Sequence, residues 1–328
     1  MADPASPFAV QKDVRVPWRK YLDELAPLRP ELHRYCVRLT GNVWDGEDLV
    51  QEALLRVFGQ LGKLDPDLER LEHPRAYLVR TATRIWIDQR RRGAREREVL
   101  EVERRIGERD ADARLGDSGR APEVREAAGQ LLAQLAPRER AAILLKDVFD
   151  LSLEETAKIL HTTVVAVKAA LQRGRGRLDQ NAEQSAPPVG PLPSPALVER
   201  FLYALSNKDL DTLKAICSAD LCVELVGGVD MDGFERARPF FEHAHFVMPA
   251  LGFGESPRWE LAEYLGETLV LGFRTLGGVE GMNEVHRLEE RDGQITRVRC
   301  YCFCPDTLRV LGEHLGRNAL PRRYRSPS

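Results

Sequence analysis

Residues 131–178 most narrow what this chain can fold into, because two short helical patterns stand only three residues apart. Ser152-Leu-Glu-Glu155 is a capping box: the serine hydroxyl accepts one backbone N–H and the glutamate carboxylate accepts another, starting a helix at Leu153. The apolar pattern runs to Leu160, His161-Thr162-Thr163 turns, and Thr163 can cap a second helix. On that helix Val167, Ala170, Leu171, Gly174 and Leu178 share one apolar face, while Val164, Lys168, Gln172 and Arg175 share the opposite one. A short helix, a three-residue turn and a second helix with a basic outer face describe a helix-turn-helix whose second helix fits a major groove. An ordinary helical hairpin with a solvated basic face has the same spacing.

The pair and its flanks resemble region four of the group-four, or extracytoplasmic-function (ECF), sigma factors of the sigma-70 family. Leu135-Ala-Pro-Arg-Glu-Arg140 matches the run before the pair, and Ala166-Val-Lys168 with Arg173-Gly-Arg-Gly-Arg177 matches its arginine ladder. The resemblance implies that Thr163, Val164, Lys168, Gln172, Arg173 and Arg175 face or flank an upstream promoter element. Two positions depart from the family. His161 stands where a turn glycine is usual, and a left-handed residue there costs a histidine some strain. Val164 stands where a polar residue is common.

The net charge of −3 conceals neighbouring blocks of opposite sign. Trp44–Glu72 carries three basic and eight acidic residues, net −5, and Pro74–Arg97 carries eight basic and two acidic, net +6. This division suits one element for a basic protein partner and another for phosphate. Leu28, Leu32, Tyr35, Cys36 and Leu39 predict a helix within Tyr21–Thr40, ended by Gly41-Asn42. The run Asp45–Phe58 opens a second helix with acids at its positive end. Leu49, Ala53 and Val57 form its inner stripe, leaving Asp48, Gln51, Glu52 and Leu55 nearer the outside. Pro74 starts a third helix at the position proline prefers. There Tyr77, Leu78, Ala82, Ile85 and Trp86 point inward, and Arg80, Arg84, Gln89, Arg91 and Arg92 project outward.

These two helices resemble region two of the same family. The resemblance implies that Asp48, Gln51, Glu52 and Leu55 dock on the β′ clamp helices of core RNA polymerase. It also implies that Arg80, Arg84, Gln89, Arg91 and Arg92 contact a downstream promoter element, with Arg84 standing where the family has asparagine. In the family the loop between the helices, here Gly59–His73, receives a flipped promoter base.

Gly93–Ala128 is charged, glycine-bearing and poor in large apolar residues, and reads as a partly helical tether between two DNA-reading modules. Five prolines within residues 186–195 make a semi-rigid linker and the clearest boundary. Beyond it, helices are expected over Pro195–Ser206, Asp209–Ile216, Gly233–His245 and Leu308–Leu315. Strands are expected over Leu221–Val226, Trp259–Tyr264, Glu267–Thr275, Met282–Glu290 and Gln294–Cys304, with Asp292-Gly293 as a hairpin turn. Helices followed by a meandering antiparallel sheet describe an α+β cone. The order, with the Phe201, Asp209-Leu-Asp211 and Asp220 spacing, resembles the SnoaL-like branch of the nuclear-transport-factor superfamily, found fused behind some group-four sigma factors. That resemblance implies a pocket, with Asp230, Asp232, His243, His245 and His286 as acid/base candidates. His243 and His245 diverge on a helix, and no fixed carboxylate–histidine pair stands out.

The expected chain is multidomain: a loose lead (1–20), an all-α region-two helical bundle (21–97), a charged linker (98–128), an all-α region-four helix-turn-helix (129–180), a proline-rich linker (181–195) and a SnoaL-like α+β domain (196–328). The expected function is promoter recognition and transcription initiation with core RNA polymerase. No catalytic residue, metal or cofactor is expected. The C-terminal domain is expected to regulate activity through intramolecular contact with the sigma domains, with a small-molecule ligand left open. Two other classes fit parts of the chain: a ligand-sensing helix-turn-helix regulator, which needs no region two, and a cyclase- or isomerase-like enzyme on a DNA-binding carrier.

No apolar run approaches the roughly 18–20 residues of a membrane span, and the opening MADPASPFAVQKD lacks a basic-then-apolar signal segment. A cytoplasmic protein without membrane contact is expected. Of the six cysteines, Cys300, Cys302 and Cys304 alternate as a strand would, with one residue between neighbours, whereas zinc sites typically have about two to four residues between paired cysteines. Three small buried side chains are therefore expected, with a redox or metal role as the alternative.

Overall fold

The computed structural model describes residues 25–64, 73–107, 132, 135–180, 192–243 and 257–320. The chain divides into two compact units, one spanning Pro27–Pro188 and the other containing Val189–Ser328.

The first unit opens with α1 (Arg29–Thr40), α2 (Val43–Leu64) and α3 (Pro74–Gly107). Pro30 favours the first turn of α1, and Gly41 closes it in a left-handed conformation that only glycine adopts without strain. Leu32, Tyr35, Cys36 and Leu39 bury one stripe against Leu49, Val50, Ala53 and Val57 of α2 and Leu78, Ala82, Ile85 and Trp86 of α3. The Tyr35 and Thr83 hydroxyls share a 2.6 Å hydrogen bond that ties α1 to α3 inside this apolar layer. The third helix does not stop in the glycine-bearing stretch: it runs through Gly93 to Gly107, into the segment expected to be a tether.

The helix-turn-helix follows as α4 (Pro137–Ile143), a π-helical turn over Leu144–Val148, α5 (Leu153–Leu160) and α6 (Val164–Gln180). It packs against the three-helix bundle. Phe149 meets the Tyr35 ring edge-on at 5.3 Å, and Arg140 donates to the Arg38 carbonyl at 2.9 and 3.2 Å. The guanidinium of Arg140 is buried and lies 5.8 Å from the centre of the Trp86 ring. Burial first, and Arg90 second, push its pKa down to about 9, so it stays cationic at neutral pH.

The second unit comprises α7 (Pro195–Asn207), α8 (Leu210–Ile216), β1 (Cys217–Leu225), β2 (Asp230–Asp232), α9 (Phe234–His243), β3 (Arg258–Tyr264), β4 (Glu267–Leu276), β5 (Val279–Arg291), β6 (Gln294–Cys300) and α10 (Pro305–Leu315). The six strands lie in the order β2-β1-β6-β5-β4-β3. The α+β expectation holds, but the sheet is mixed rather than a pure meander, because β1 pairs parallel to β6. The long connection between these strands satisfies the crossover that a parallel pair requires. Val198, Phe201, Leu205, Leu213 and Phe241 from the helices meet Leu221, Val223, Val270, Leu288 and Val298 from the sheet in one core.

Two local expectations fail. The short strand β2 pairs with β1 where no strand was expected. The last strand ends at Cys300, not Cys304: Tyr301-Cys302-Phe303 turn, and Cys304 stands at the N-cap of α10. Pro305 explains the stop, since proline lacks a ladder donor and suits a first helical turn. The three thiols are buried, as expected, but not as one strand face. Residues 244 and 245, expected to finish α9, lie outside the described residues.

Close approach of α1 and α2 gives a test. A Cβ built on Gly46 would lie 2.6 Å from Val37 Cγ2 and 2.8 Å from Val37 Cα, whereas one on Gly59 of the same helix meets nothing within 4 Å. Gly59→Ala should raise stability by about 1 kcal/mol or less through helix propensity. Gly46→Ala should lower it by about 1–3 kcal/mol through overpacking. Urea denaturation of the two variants checks the opposite signs.

Candidate nucleic-acid and polymerase interface

The capping box forms as the sequence implies. Ser152 Oγ accepts the Glu155 N–H at 3.1 Å, and Glu155 Oε2 accepts the Ser152 N–H at 2.8 Å. The Ser152 hydroxyl also donates to Glu155 Oε2 at 2.7 Å, and this contact first, then the Ser152 N–H, holds the exposed Glu155 carboxyl below its ordinary range. His161 takes the left-handed conformation the turn demands, at φ 48°. The helix that this turn ends, α5, packs on the basic helix α3, and the His161 pKa is lowered by desolvation first and then by Arg84 and Arg80. Thr163 Oγ1 accepts the Ala166 N–H at 3.2 Å and so caps α6.

Along α6, Val167, Ala170, Leu171 and Gly174 are buried and Lys168, Gln172 and Arg175 are exposed, on the faces expected. Gly174 permits the approach to α4, since a Cβ there would lie 2.7 Å from Ile143 Cδ1. Val164 is half-buried. Arg173 and Arg175, both expected at the upstream element, are exposed but already engaged. Arg173 and Arg177 converge on the buried carboxylate of Glu139, at 3.0 and 2.6 Å. Arg175 grips both oxygens of Asp147, at 3.0 and 2.6 Å. Neither acid was singled out in the sequence. A shallow groove beside them is lined by Lys146, Leu153, Lys168, Leu171, Gln172, Arg175 and Gly176.

On α3, Arg84, Gln89, Arg91 and Arg92 are exposed and Arg80 is half-buried over the Tyr77 ring, at 5.3 Å. Gln89 donates to Glu52 at 2.7 Å, joining one residue expected to read DNA to one expected to bind polymerase. On α2, Leu55 is 57% exposed, a large apolar side chain on an acidic helix. Glu52 lies one helical turn before it, with a second partner, Arg56, at 2.7 Å. Asp48 and Gln51 are half-buried rather than free, and Gln51 donates to Glu47 at 2.6 Å. Glu47 is fully buried and held by Arg29, with His33 3.4 Å away. The sequence signal for that carboxylate was the Arg29/His33 pair one turn apart on α1. Residues 65–72, in the loop expected to receive a flipped base, lie outside the described residues.

In the second unit, Asp230 and Asp232 are exposed on β2, and His286 is buried. The structure does supply a carboxylate–histidine pair: Glu284 Oε2 lies 3.3 Å from His286 Nε2. The side chain of His243 and all of His245 lie outside the described residues. Among the described residues no helix is long and apolar enough to cross a membrane.

The family model described as Sigma-70 region 2 matches residues 25–96, and that described as Sigma-70, region 4 matches residues 125–178. The ECF RNA polymerase sigma factor SigJ of Mycobacterium tuberculosis is 32% identical over 207 residues, spanning 61% of this chain and 63% of that relative, under two thirds of its length. The RNA polymerase sigma-E factor of Streptomyces avermitilis is 30% identical over 152 residues, spanning 46% of this chain and 79% of the relative. A further M. tuberculosis protein, "Probable ECF RNA polymerase sigma factor SigI", is 26% identical over 314 residues, 92% of this chain and 97% of the relative.

The capping box generates a pH prediction. A carboxyl whose pKa is lowered on folding adds stability above its unfolded value and loses it as pH falls through the lowered folded value. Helix-turn-helix stability should therefore decline below the ordinary glutamate range, and Glu155→Gln should flatten that part of the profile. Thermal melts across acidic pH, followed by circular dichroism, check it.

Proposed function

We propose, because this chain belongs to the extracytoplasmic-function group of the sigma-70 family of RNA polymerase sigma factors, that it binds core RNA polymerase, recognises a promoter and starts transcription. The observation that carries this reading is that both family regions are present with their expected outer faces exposed: Leu55 on acidic α2, Arg84, Arg91 and Arg92 on α3, and Lys168 with Gln172 on α6. An exposed leucine one turn from Glu52 on an acidic helix suits a basic helical partner such as the β′ clamp helices, and the cationic faces suit phosphate and base edges. The protein acts by binding and strand separation rather than covalent chemistry, and works in the cytoplasm.

The packing of the helix-turn-helix on the bundle refines this proposal. In the closed arrangement the turn at His161 lies beside Arg80 and Arg84, so upstream and downstream readers are drawn together. Serving two promoter elements at once requires the Arg140 and Phe149 contacts to part. Polymerase binding supplies the differential affinity for the open form.

Run-off transcription with reconstituted holoenzyme tests the reading. Leu55→Arg with Glu52→Arg should abolish co-purification with core enzyme while leaving the fold intact, since neither side chain is buried. Lys168→Ala and Gln172→Ala should leave core binding unchanged. A lost base contact should cost about 1–3 kcal/mol at one promoter position, and a lost phosphate contact should weaken all sequences alike. Normal core binding by the double variant would overturn the docking assignment.

The unit beyond the proline linker is proposed to regulate this activity, supported by its own core and by the match to SigI, which extends across most of both chains. Truncation after Asn181 should change run-off yield. A rise marks inhibition by that unit and a fall marks assistance, while an unchanged yield refutes regulation.

A further inference from the structure

The buried polar cluster of the second unit is not used by promoter recognition. Glu284 and His286 stand two apart on β5 and so share a face, and the register sets Cys300 of β6 directly opposite His286. All three side chains are buried, and their ligand atoms lie within 4.8 Å of one another. Room for the carboxylate comes from Gly272, which pairs with Glu284 on β4: a Cβ there would lie 2.5 Å from Glu284 Cγ and 2.8 Å from the Trp259 ring.

The spacing also suits coordination. His286 Nε2 lies 3.3 Å from Glu284 Oε2, longer than the roughly 2.7–2.9 Å of a charged nitrogen donor on a carboxylate, and Cys300 Sγ lies 3.9 Å from the same oxygen, a weak thiol contact. Zinc–nitrogen and zinc–oxygen bonds of about 2.0–2.1 Å at a tetrahedral angle separate the two ligand atoms by about 3.3 Å. A zinc–thiolate bond of about 2.3 Å extends the sulfur–oxygen edge to about 3.5 Å, a few tenths of an ångström shorter than the 3.9 Å found between Cys300 Sγ and Glu284 Oε2. The other carboxylate oxygen, Oε1, faces the buried Arg274 guanidinium at 3.7 Å, an outer partner that orients the ligand. Phe201, Phe240 and Trp259 surround the His286 ring at 6.2, 5.8 and 5.1 Å and keep the site apolar. His286 Nδ1 is buried without a hydrogen-bond partner among the described residues, so the imidazole is not accounted for by a closed polar network.

From this geometry we infer that Glu284, His286 and Cys300 bind a zinc-class divalent metal ion, with one coordination position left to a non-protein ligand. Mixed carboxylate, imidazole and thiolate donors select zinc over hard cations. Binding displaces the Cys300 thiol proton to solvent, and the two anionic ligands balance the ion's charge. The inference rests on the second unit alone and is independent of the sigma-factor reading.

The test uses the full chain, reconstituted with cobalt as a spectroscopic stand-in and with zinc for stoichiometry. The wild type should hold stoichiometric zinc after dialysis and show a cobalt–thiolate charge-transfer band. Cys300→Ser should abolish the band, and His286→Gln should weaken cobalt affinity at least tenfold. Cys222→Ser, at a half-buried thiol outside the cluster, should change neither. Should Cys300→Ser fail to fold, zinc-edge X-ray absorption of the wild type decides: one sulfur among nitrogen and oxygen ligands supports the site. A sulfur-free shell, no band in folded wild type, or a band that survives Cys300→Ser overturns it.

Discussion

The first unit depends on one buried cation. Arg140 carries its charge into the seam between the helix-turn-helix and the bundle, where the Arg38 carbonyl and the Trp86 ring receive it. A charge in such a place is tolerated only while its partners stay in position, because a buried charged donor left without its acceptor costs upward of about 1–3 kcal/mol. The carbonyl belongs to the last turn of α1, where unsatisfied backbone acceptors and the helix dipole both favour a cation. Arg140 thereby links the end of one helix to the start of another module.

How much of this was legible varied with how local the cause was. The capping box, the left-handed His161, the α6 faces and the exposed Leu55 follow from spacings within one or two turns, and the structure reproduces them. Glu47 was not legible as buried, because only its meeting with Arg29 and His33 on another helix makes burial tolerable. The arginine ladder looked uniformly free for DNA for the same reason: Glu139 and Asp147 lie 28–38 residues away in sequence.

The second unit shows the limit of counting along a hairpin. The Asp292-Gly293 turn pairs Arg291 with Gln294, and continuing that count would set His286 opposite Arg299. A bulge between Glu289 and Glu290 shifts the ladder by one, bringing Cys300 opposite instead. One extra residue thus changes an arginine for a thiol beside the histidine. Bulges leave little trace in the alternation of apolar residues, so the cluster was hidden although each member is plain in the sequence.

The clasped ladder also bears on how this helix responds to ionic strength. A free surface arginine that meets a phosphate releases a condensed counterion, and affinity then falls with salt by a slope of about 0.9 per phosphate. Arg173 and Arg177 start from Glu139, and Arg175 from Asp147, so each must leave a carboxylate before it can neutralise DNA. Abandoning Glu139 strands a buried anion, whereas the half-exposed Asp147 is rehydrated. On the proposed DNA-binding reading, three arginines in the count therefore amount to fewer than three neutralised phosphates. In exchange the ion pairs hold α6 against α4 through Glu139 and against the π-helical turn through Asp147, which fixes the orientation of the face that carries Lys168 and Gln172.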